Sequence, residues 1–123
     1  MARKDVYWFK HDGNARRDQK ILEMRSVYGA EGYGWWWMLL EMMREASDYR
    51  LKLTGKYAIP TLAQELNADP ERLQAFITDC IEEFELFQSD GKCFWSPSFL
   101  RRMENYNKLV DIRREAANSR WNR

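Results

Sequence analysis

Apolar side chains recur at helical spacing along most of the chain, which predicts a mostly helical protein. The first such pattern covers residues 19–28 and follows Asp18, a residue type whose side chain caps helix N-termini. Gly29 comes next, and glycine readily adopts the left-handed backbone conformation that ends helices. We therefore expect a first helix that begins after Asp18 and stops at Gly29.

A second helix is predicted over residues 31–46, and its apolar residues are not confined to one face. Its centre, GWWWMLLEMM, is apolar on nearly every side, whereas a surface helix carries a single apolar stripe. Its three consecutive tryptophans point in directions roughly 100° apart. Either this helix is central to the core, or one tryptophan lies on a contact surface.

Two further apolar patterns are joined by a very short turn. Residues 60–66 predict a short helix with Pro60 at its first position, and Asn67 is suited to the left-handed residue that ends it. A new helix is predicted from Pro70, with Asp69 as its N-cap. Two helices joined by a turn of about three residues form a helix-turn-helix pattern.

Short alternating segments predict strands on either side of this helix pair. One strand is expected over residues 49–53, and residues 86–88 and 93–95 flank an Asp-Gly turn that is typical of a β-hairpin. Pro97 ends the hairpin, and Ser98 is expected to cap a last helix over residues 99–118. The predicted fold is therefore α+β and mostly α: a winged helix-turn-helix with a short β-hairpin wing and a C-terminal helix.

A length of 123 residues is that of one domain. We divide it into an aromatic and basic N-terminal arm (1–17), a winged-helix domain (18–112) and a basic C-terminal tail (113–123), which we expect to lead into a further region of a longer protein. No apolar run reaches the roughly 18 residues of a membrane span, and the first residues do not resemble a signal peptide. Its two cysteines are too few for a disulfide framework. We expect a cytoplasmic protein without a membrane partner.

The net charge of +1 conceals an uneven distribution of charge along the chain. Residues 59–96 carry two basic and eight acidic side chains, whereas residues 97–123 carry seven basic and three acidic ones. Residues 1–29 are also basic. Because clustered Lys and Arg side chains bind phosphates, basic residues near both ends are candidates for DNA contacts: Arg16, Arg17, Lys20, Arg101, Arg102, Lys108, Arg113, Arg114 and Arg120. The alternative, that these are exposed charges that only confer solubility, stays open.

The second helix of the helix-turn-helix pair carries few groups suited to DNA. In many such proteins this helix enters the major groove and contacts base edges. Its outward face is acidic here, and phosphates would repel it. Arg72 and Gln74 are the side chains on that face that suit guanine or adenine edges, so they are the candidates for base contacts.

The residue pattern does not indicate catalysis or a bound cofactor. His11 is the only histidine, and no cysteine or carboxylate cluster accompanies it at metal-ligand spacing. The glycines at positions 29, 32 and 34 lack the order and the preceding strand of a dinucleotide-binding loop, so we assign them to a helix stop and to close helix packing. We expect no enzymatic activity, cofactor, metal or small-molecule substrate.

Two aromatic clusters predict that copies of the chain associate. One cluster lies in the arm and the other in the second predicted helix, and together they exceed what one small core holds. We therefore predict a homo-oligomer, most simply a dimer, whose interface contains six aromatic residues: Tyr7, Trp8, Phe9, Trp35, Trp36 and Trp37.

The run YGAEGYG at residues 28–34 continues into Trp36, Leu39, Leu40, Glu41, Arg44 and Glu45. With HDGNARRDQKI before it, and IEEFELF and PSFLRRM after it, this run resembles the N-terminal domain of phage and prophage replisome organiser proteins. That domain is related to the winged-helix part of DnaD-like primosomal proteins. The resemblance extends from about Tyr7 to about Arg114 and implies a winged helix with a role in DNA replication or DNA binding.

Two functions follow as expectations. In the first, the chain is a DNA-replication accessory domain that binds DNA non-catalytically, mainly through phosphates, and helps to assemble the primosome with other replication proteins. In the second, it is a protein-protein interaction and self-assembly module, and DNA binding is located elsewhere in a longer protein.

Overall fold

The computed structural model describes residues 18–121, which form four helices and three short strands. In chain order they are α1 (Gln19–Glu45), β1 (Leu51–Lys52), α2 (Ala58–Leu66), α3 (Pro70–Glu82), β2 (Gln88–Ser89), β3 (Cys93–Trp95) and α4 (Pro97–Trp121). The predicted α+β class with mostly helical content is confirmed. No helix within residues 18–121 is long and apolar enough to cross a membrane.

Helix α1 joins the two predicted N-terminal helices into one kinked element. The Asp18 carboxylate caps it by accepting a hydrogen bond from the Lys20 backbone N–H at 2.9 Å. At Gly29 the backbone leaves helical geometry, with φ 67° and ψ −159°, a conformation that other residues rarely adopt. The predicted break at Gly29 is therefore present. The two predicted helices therefore meet at Gly29 as the two segments of α1, and helical geometry resumes at the next residue.

Helices α2 and α3 form the predicted helix pair, joined by residues 67–69. Asn67 ends α2 with φ 53° and ψ 47°, as expected of a left-handed stop. The Asp69 carboxylate caps α3 by accepting from the Arg72 backbone N–H at 3.0 Å. Pro60 is the third residue of α2 and not the first as predicted; the first turn of a helix tolerates proline there because its N–H groups have no intrahelical acceptor.

The three strands form one antiparallel sheet in the order β1-β3-β2. Strand β2 begins at Gln88, two residues later than predicted, because the N–H groups of Leu86 and Phe87 both donate to the Cys80 carbonyl near the end of α3. In the hairpin turn, the Asp90 carboxylate accepts from the backbone N–H groups of Cys93 at 2.8 Å and Lys92 at 2.9 Å. These two bonds lower the pKa of Asp90.

Helix α4 begins at Pro97, and its cap differs from the predicted one. The Ser96 hydroxyl, not that of Ser98, accepts from the Phe99 backbone N–H, at 3.2 Å. The helix continues to Trp121, past the predicted end at Asn118. Its first turn buries Phe99 in the core, whereas the side chains of residues 104–120 are almost all exposed.

The core lies between α1, the α2–α3 pair, the sheet and the start of α4. Trp35 of α1 meets Phe76 of α3 edge to face, with 5.4 Å between ring centroids. Cys80 is fully buried beside them, and burial raises the pKa of its thiol. Trp35 and Trp36 are both buried, so the tryptophan-rich helix is central to the core, which was one of its two interpretations.

Candidate nucleic-acid interface

The basic residues of α4 are unevenly distributed about its axis. At about 100° per residue, Arg102, Arg113 and Arg120 lie within about 20° of one direction, and we call them the arginine row. At about 1.5 Å per residue, the row is about 27 Å long. All three side chains are exposed. The row is therefore a narrow line of positive charge parallel to the helix axis.

Acidic side chains occupy the opposite side of α4. Glu104, Asp111 and Glu115 lie within about 40° of one another and about 180° from the arginine row. All three are exposed. The electrostatic potential beside the arginine row is therefore more positive than the net charge of the C-terminal segment suggests, because the acidic side chains of α4 lie on the opposite side of the helix.

The arginine row has an aromatic neighbour, and α4 is hydrogen-bonded to the body of the protein near it. Tyr106 is 39% exposed and points within about 40° of the row. The Asn107 side-chain amide donates to the Tyr49 hydroxyl at 2.7 Å and attaches the middle of α4 to the loop before β1. A line of cations with an aromatic ring beside it has the groups that proteins use to bind a nucleic-acid strand.

The two helix starts bring further basic residues together. A groove of about 300 Å³ lies between the two helices. Its lining includes Lys20 from the first turn of α1, and Arg101 and Arg102 from the first turns of α4. Asp18 and Glu85 line the same groove, and the Lys20 ammonium donates to the Glu85 carbonyl at 3.5 Å. The groove therefore has charges of both signs, in contrast to the arginine row.

The remaining predicted cations of α4 lie off the row. Arg101 and Lys108 share one direction about 100–120° from it, and Arg114 lies about 100–120° away on the other side. All three are exposed. Nine basic residues near the two ends were predicted to contact DNA. Three of them form the arginine row and three line the groove, and Arg102 belongs to both sets.

Helix α3 presents the acidic face that its sequence predicts. The guanidinium of Arg72 lies 3.2 Å from the Glu31 carboxylate and 5.6 Å from the centroid of the Trp35 ring, so it is held against α1. Gln74 is exposed and lines a shallow pocket with residues that include Lys56. Both side chains belong to α3, whereas the arginine row belongs to α4, which is distant from them in the sequence.

Tyr28 is a residue whose role the sequence did not indicate. Its hydroxyl donates to the Asp79 carboxylate of α3 at 2.5 Å. Burial raises the pKa of Tyr28, and the hydrogen bond and the negative charge of Asp79 raise it further. Through this contact the Asp79 carboxylate is partly shielded from solvent, and α3 is held against α1.

The predicted aromatic interface falls into two parts. Trp35 and Trp36 are buried within the chain, and Trp37 is half-buried and lines the groove. Tyr7, Trp8 and Phe9 lie outside the described residues, as do the candidate DNA contacts Arg16 and Arg17. The assignment of these residues to an interface or to DNA stays a prediction. Among residues 18–121, no group of three His, Cys, Asp or Glu side chains is arranged to hold a metal ion.

The described residues define a mostly helical α+β domain with a small antiparallel sheet. The chain belongs to the Lin1244/Lin1753-like N-terminal family, whose sequence model matches residues 8–99. This family is related to DnaD-like N-terminal domains. The chain matches no curated protein and no solved structure. The matched range includes α1, the α2–α3 pair and the sheet, but it ends at Phe99 and leaves the arginine row outside.

Proposed function

We propose that this chain is a cytoplasmic winged-helix domain that binds DNA non-catalytically, through phosphates, as an accessory of DNA replication. In this role it acts as a replisome organiser domain and helps other replication proteins to assemble the primosome. The family relationship to DnaD-like N-terminal domains supports the replication role.

The order of elements supports the winged-helix part of the proposal. A pair of helices joined by three residues is followed at once by the hairpin β2–β3, and β1 extends that hairpin on its outer side. In this proposal the hairpin is the wing, and α3 corresponds to the helix that enters a groove in many helix-turn-helix proteins.

The single observation that carries the DNA-binding part is the arginine row. Its three arginines project from one side of α4 over about 27 Å, while the three acidic residues of α4 project from the other side. Phosphates repeat along a DNA strand, so a straight row of cations neutralises several of them at once. The acidic face of α3 disfavours deep insertion of that helix, and the phosphate contact is therefore assigned to α4.

Salt-dependent DNA affinity tests this proposal. We expect the full chain to bind a labelled duplex and a labelled single strand of equal length, with affinity that falls steeply from about 50 to about 200 mM salt. Replacing Arg102, Arg113 and Arg120 together by alanine removes up to three phosphate contacts. On duplex DNA the log–log salt slope is then expected to flatten by up to about 2.7, at about 0.9 per contact.

A matched variant removes the same charge from another part of the surface. Lys52, Lys56 and Lys92 are exposed on or near the sheet, and their joint replacement by alanine is expected to change the slope much less. If that variant loses affinity and the arginine-row variant does not, the wing makes the contact and the assignment to α4 is wrong. If the unaltered chain binds no DNA at low salt, the DNA-binding proposal fails.

A protein-interaction and self-assembly module is the second candidate, and exposed apolar residues favour it. Leu109 is 45% exposed and Ile112 is 54% exposed, on the same side of α4. Lys108 precedes this pair and Glu115 follows it, seven residues further along the helix. If two copies of α4 packed antiparallel through the pair, Lys108 of each copy would lie opposite Glu115 of the other. Under this candidate the chain forms a dimer through α4, and DNA binding lies in another part of a longer protein.

A further inference from the structure

The side of α4 that carries the arginine row also carries two exposed apolar side chains. Tyr106 is 39% exposed and Leu109 is 45% exposed, and both lie between Arg102 and Arg113 along the helix. At about 100° per residue, these four residues lie within about 60° of one another, and we call them the α4 stripe. The order along the stripe is charged, apolar, apolar, charged, over about 17 Å.

Helix α3 carries a stripe with the same spacing and the opposite charge. The members of this α3 stripe are all exposed and follow one another at intervals of four, three and four residues: Glu71, Ala75, Thr78 and Glu82. The α4 stripe has the same intervals, so the charged ends of both stripes are about 17 Å apart. Arg72, the cation next to Glu71 in the sequence, pairs instead with Glu31 of α1 at 3.2 Å.

The two stripes are complementary in size as well as in charge. The large side chains of Tyr106 and Leu109 fit against the small ones of Ala75 and Thr78, because helices pack where the side chains of one fill the spaces between those of the other. The equal spacing lets both arginines meet both glutamates in one arrangement of the helices. Both stripes are exposed, so neither covers the other within one copy of the chain.

We propose that the α4 stripe of one copy docks onto the α3 stripe of a second copy. Two different surfaces meet, so each copy retains one stripe for a further copy, and the contact builds rings or filaments. The symmetric contact through Leu109 and Ile112, in contrast, ends at a dimer. Arg102 and Arg113 also belong to the arginine row, so a copy that docks through them cannot hold DNA phosphates with the same side chains. The docking itself requires no DNA, and its test is therefore independent of the proposed function.

Exchange of charges between the stripes tests the docking by sedimentation of full-length chains without DNA. The α4-reversed variant is Arg102→Glu/Arg113→Glu, and the α3-reversed variant is Glu71→Arg/Glu82→Arg. Each variant alone sets like charges against each other, so its dissociation constant for self-association should rise at least about tenfold above that of the unaltered chain. In an equal mixture, each stripe of one variant meets an oppositely charged stripe of the other. Association should then return to about the strength of the unaltered chain, which also shows that both variants are folded.

A control variant makes the same change of charge on α4 outside the stripe. Lys108 and Arg114 are exposed and lie about 100–120° from the arginine row, so Lys108→Glu/Arg114→Glu should associate as the unaltered chain does. If this control dissociates, if either reversed variant associates at full strength alone, or if the mixture stays monomeric, the docking inference is wrong.

Dilution of the unaltered, ¹⁵N-labelled chain provides a second measurement that needs no variant. A single helix contact of about 17 Å is smaller than a standard interface, so we expect it to dissociate between about 500 and about 20 µM. The backbone amide signals of Ala75 and Thr78 in α3 should shift together with those of Tyr106 and Leu109 in α4. Shifts confined to α4 would assign the contact to two copies of α4, and they would overturn the proposal, as would signals that do not change on dilution.

Discussion

The hydroxyl of Tyr28 donates a 2.5 Å hydrogen bond to the carboxylate of Asp79, a residue 51 positions further along the chain. Tyr28 directly precedes the kink at Gly29, and Asp79 is a half-buried residue of α3. The Tyr28 ring also meets Phe76 edge to face at 5.0 Å. The residue thus connects the first segment of α1 to the helix pair through one polar and one apolar contact.

Replacing Tyr28 by phenylalanine separates these two contacts. The ring and its packing on Phe76 remain, while the bond to the charged Asp79 is lost. We expect the free energy of unfolding to fall by about 1–2 kcal/mol, because a hydrogen bond to a charged acceptor is worth more than one between neutral groups. Denaturant titration measures the change. Tyr57→Phe removes a hydroxyl from an exposed ring and should be neutral; equal effects for the two variants would contradict a structural role of the Tyr28 bond.

The three glycines of the YGAEGYG run are expected to respond differently to alanine. Gly29→Ala should destabilise by about 1–3 kcal/mol, because a φ of 67° with an extended ψ strains any side chain. At Gly32 a new Cβ would collide with Tyr28 and lie 3.2 Å from the Phe76 ring, so a loss is expected there too.

Gly34→Ala is the control, and it tests a sequence prediction that the structure corrects. The sequence assigned both Gly32 and Gly34 to close packing, but within residues 18–121 no atom beyond the adjoining residues and the local helix backbone lies within 4 Å of a Cβ at Gly34. Alanine there should stabilise by about 0.5–1 kcal/mol through helix propensity. Thermal unfolding of the three variants checks the order; a destabilised Gly34→Ala variant would mean that this position is packed after all.

The stability contributed by the Asp90 turn is expected to depend on pH. Its backbone hydrogen bonds hold the pKa of the carboxyl below its usual value, so the ionised form stabilises the folded state. That contribution is complete above the ordinary value of about 3.9 and is lost as pH falls through the lower folded pKa. The difference in unfolding free energy between the natural chain and Asp90→Asn should therefore shrink as the solution is acidified below about pH 4. Asp111→Asn on the exposed part of α4 is the comparison, and a constant difference for Asp90→Asn would contradict the assignment.

The features that the sequence predicted correctly depend on interactions over a few residues. Asp18, Asn67 and Asp69 act on backbone groups within four positions of themselves, so the residue type at the right place was sufficient. The sequence predicted Ser98 as the cap of α4, whereas the structure shows Ser96 in that role. Both residues carry a hydroxyl that can accept from a backbone N–H, so the residue type alone did not distinguish them.

Features that depend on contacts distant in sequence were not predicted. The start of β2 is set by the Cys80 carbonyl, and α4 is joined to the loop before β1 by the hydrogen bond between Asn107 and Tyr49, 58 residues apart. The cations of α4 were identified from the sequence, but their alignment was not. The spacing of 11 and 7 residues between Arg102, Arg113 and Arg120 was the signal that could have revealed the row.

Self-association through α4 is open to a direct test. If the exposed pair Leu109 and Ile112 forms a dimer contact, the chain should sediment as a dimer near roughly 100 µM, a concentration at which micromolar dimers are populated. The double variant Leu109→Ser/Ile112→Ser should then be monomeric. Leu22→Ser/Val27→Ser removes a similar exposed apolar pair from α1 and should leave the mass unchanged. A monomeric natural chain would exclude this interface and the dimer prediction with it.

Arg72 distinguishes the two ways in which this domain could approach DNA. Its guanidinium is engaged with Glu31 and the Trp35 ring, and both Arg72 and Glu31 are more than half exposed. Arg72→Ala should therefore lower the free energy of unfolding by no more than about 1 kcal/mol, as for other surface ion pairs. DNA affinity should stay within about twofold of the natural chain, because the phosphate contacts lie on α4. Gln74→Ala, on the same face of α3, is the companion variant. A loss of about 1–3 kcal/mol in binding with relaxed sequence preference for either variant would place α3 in the major groove and reject the arginine row as the main contact.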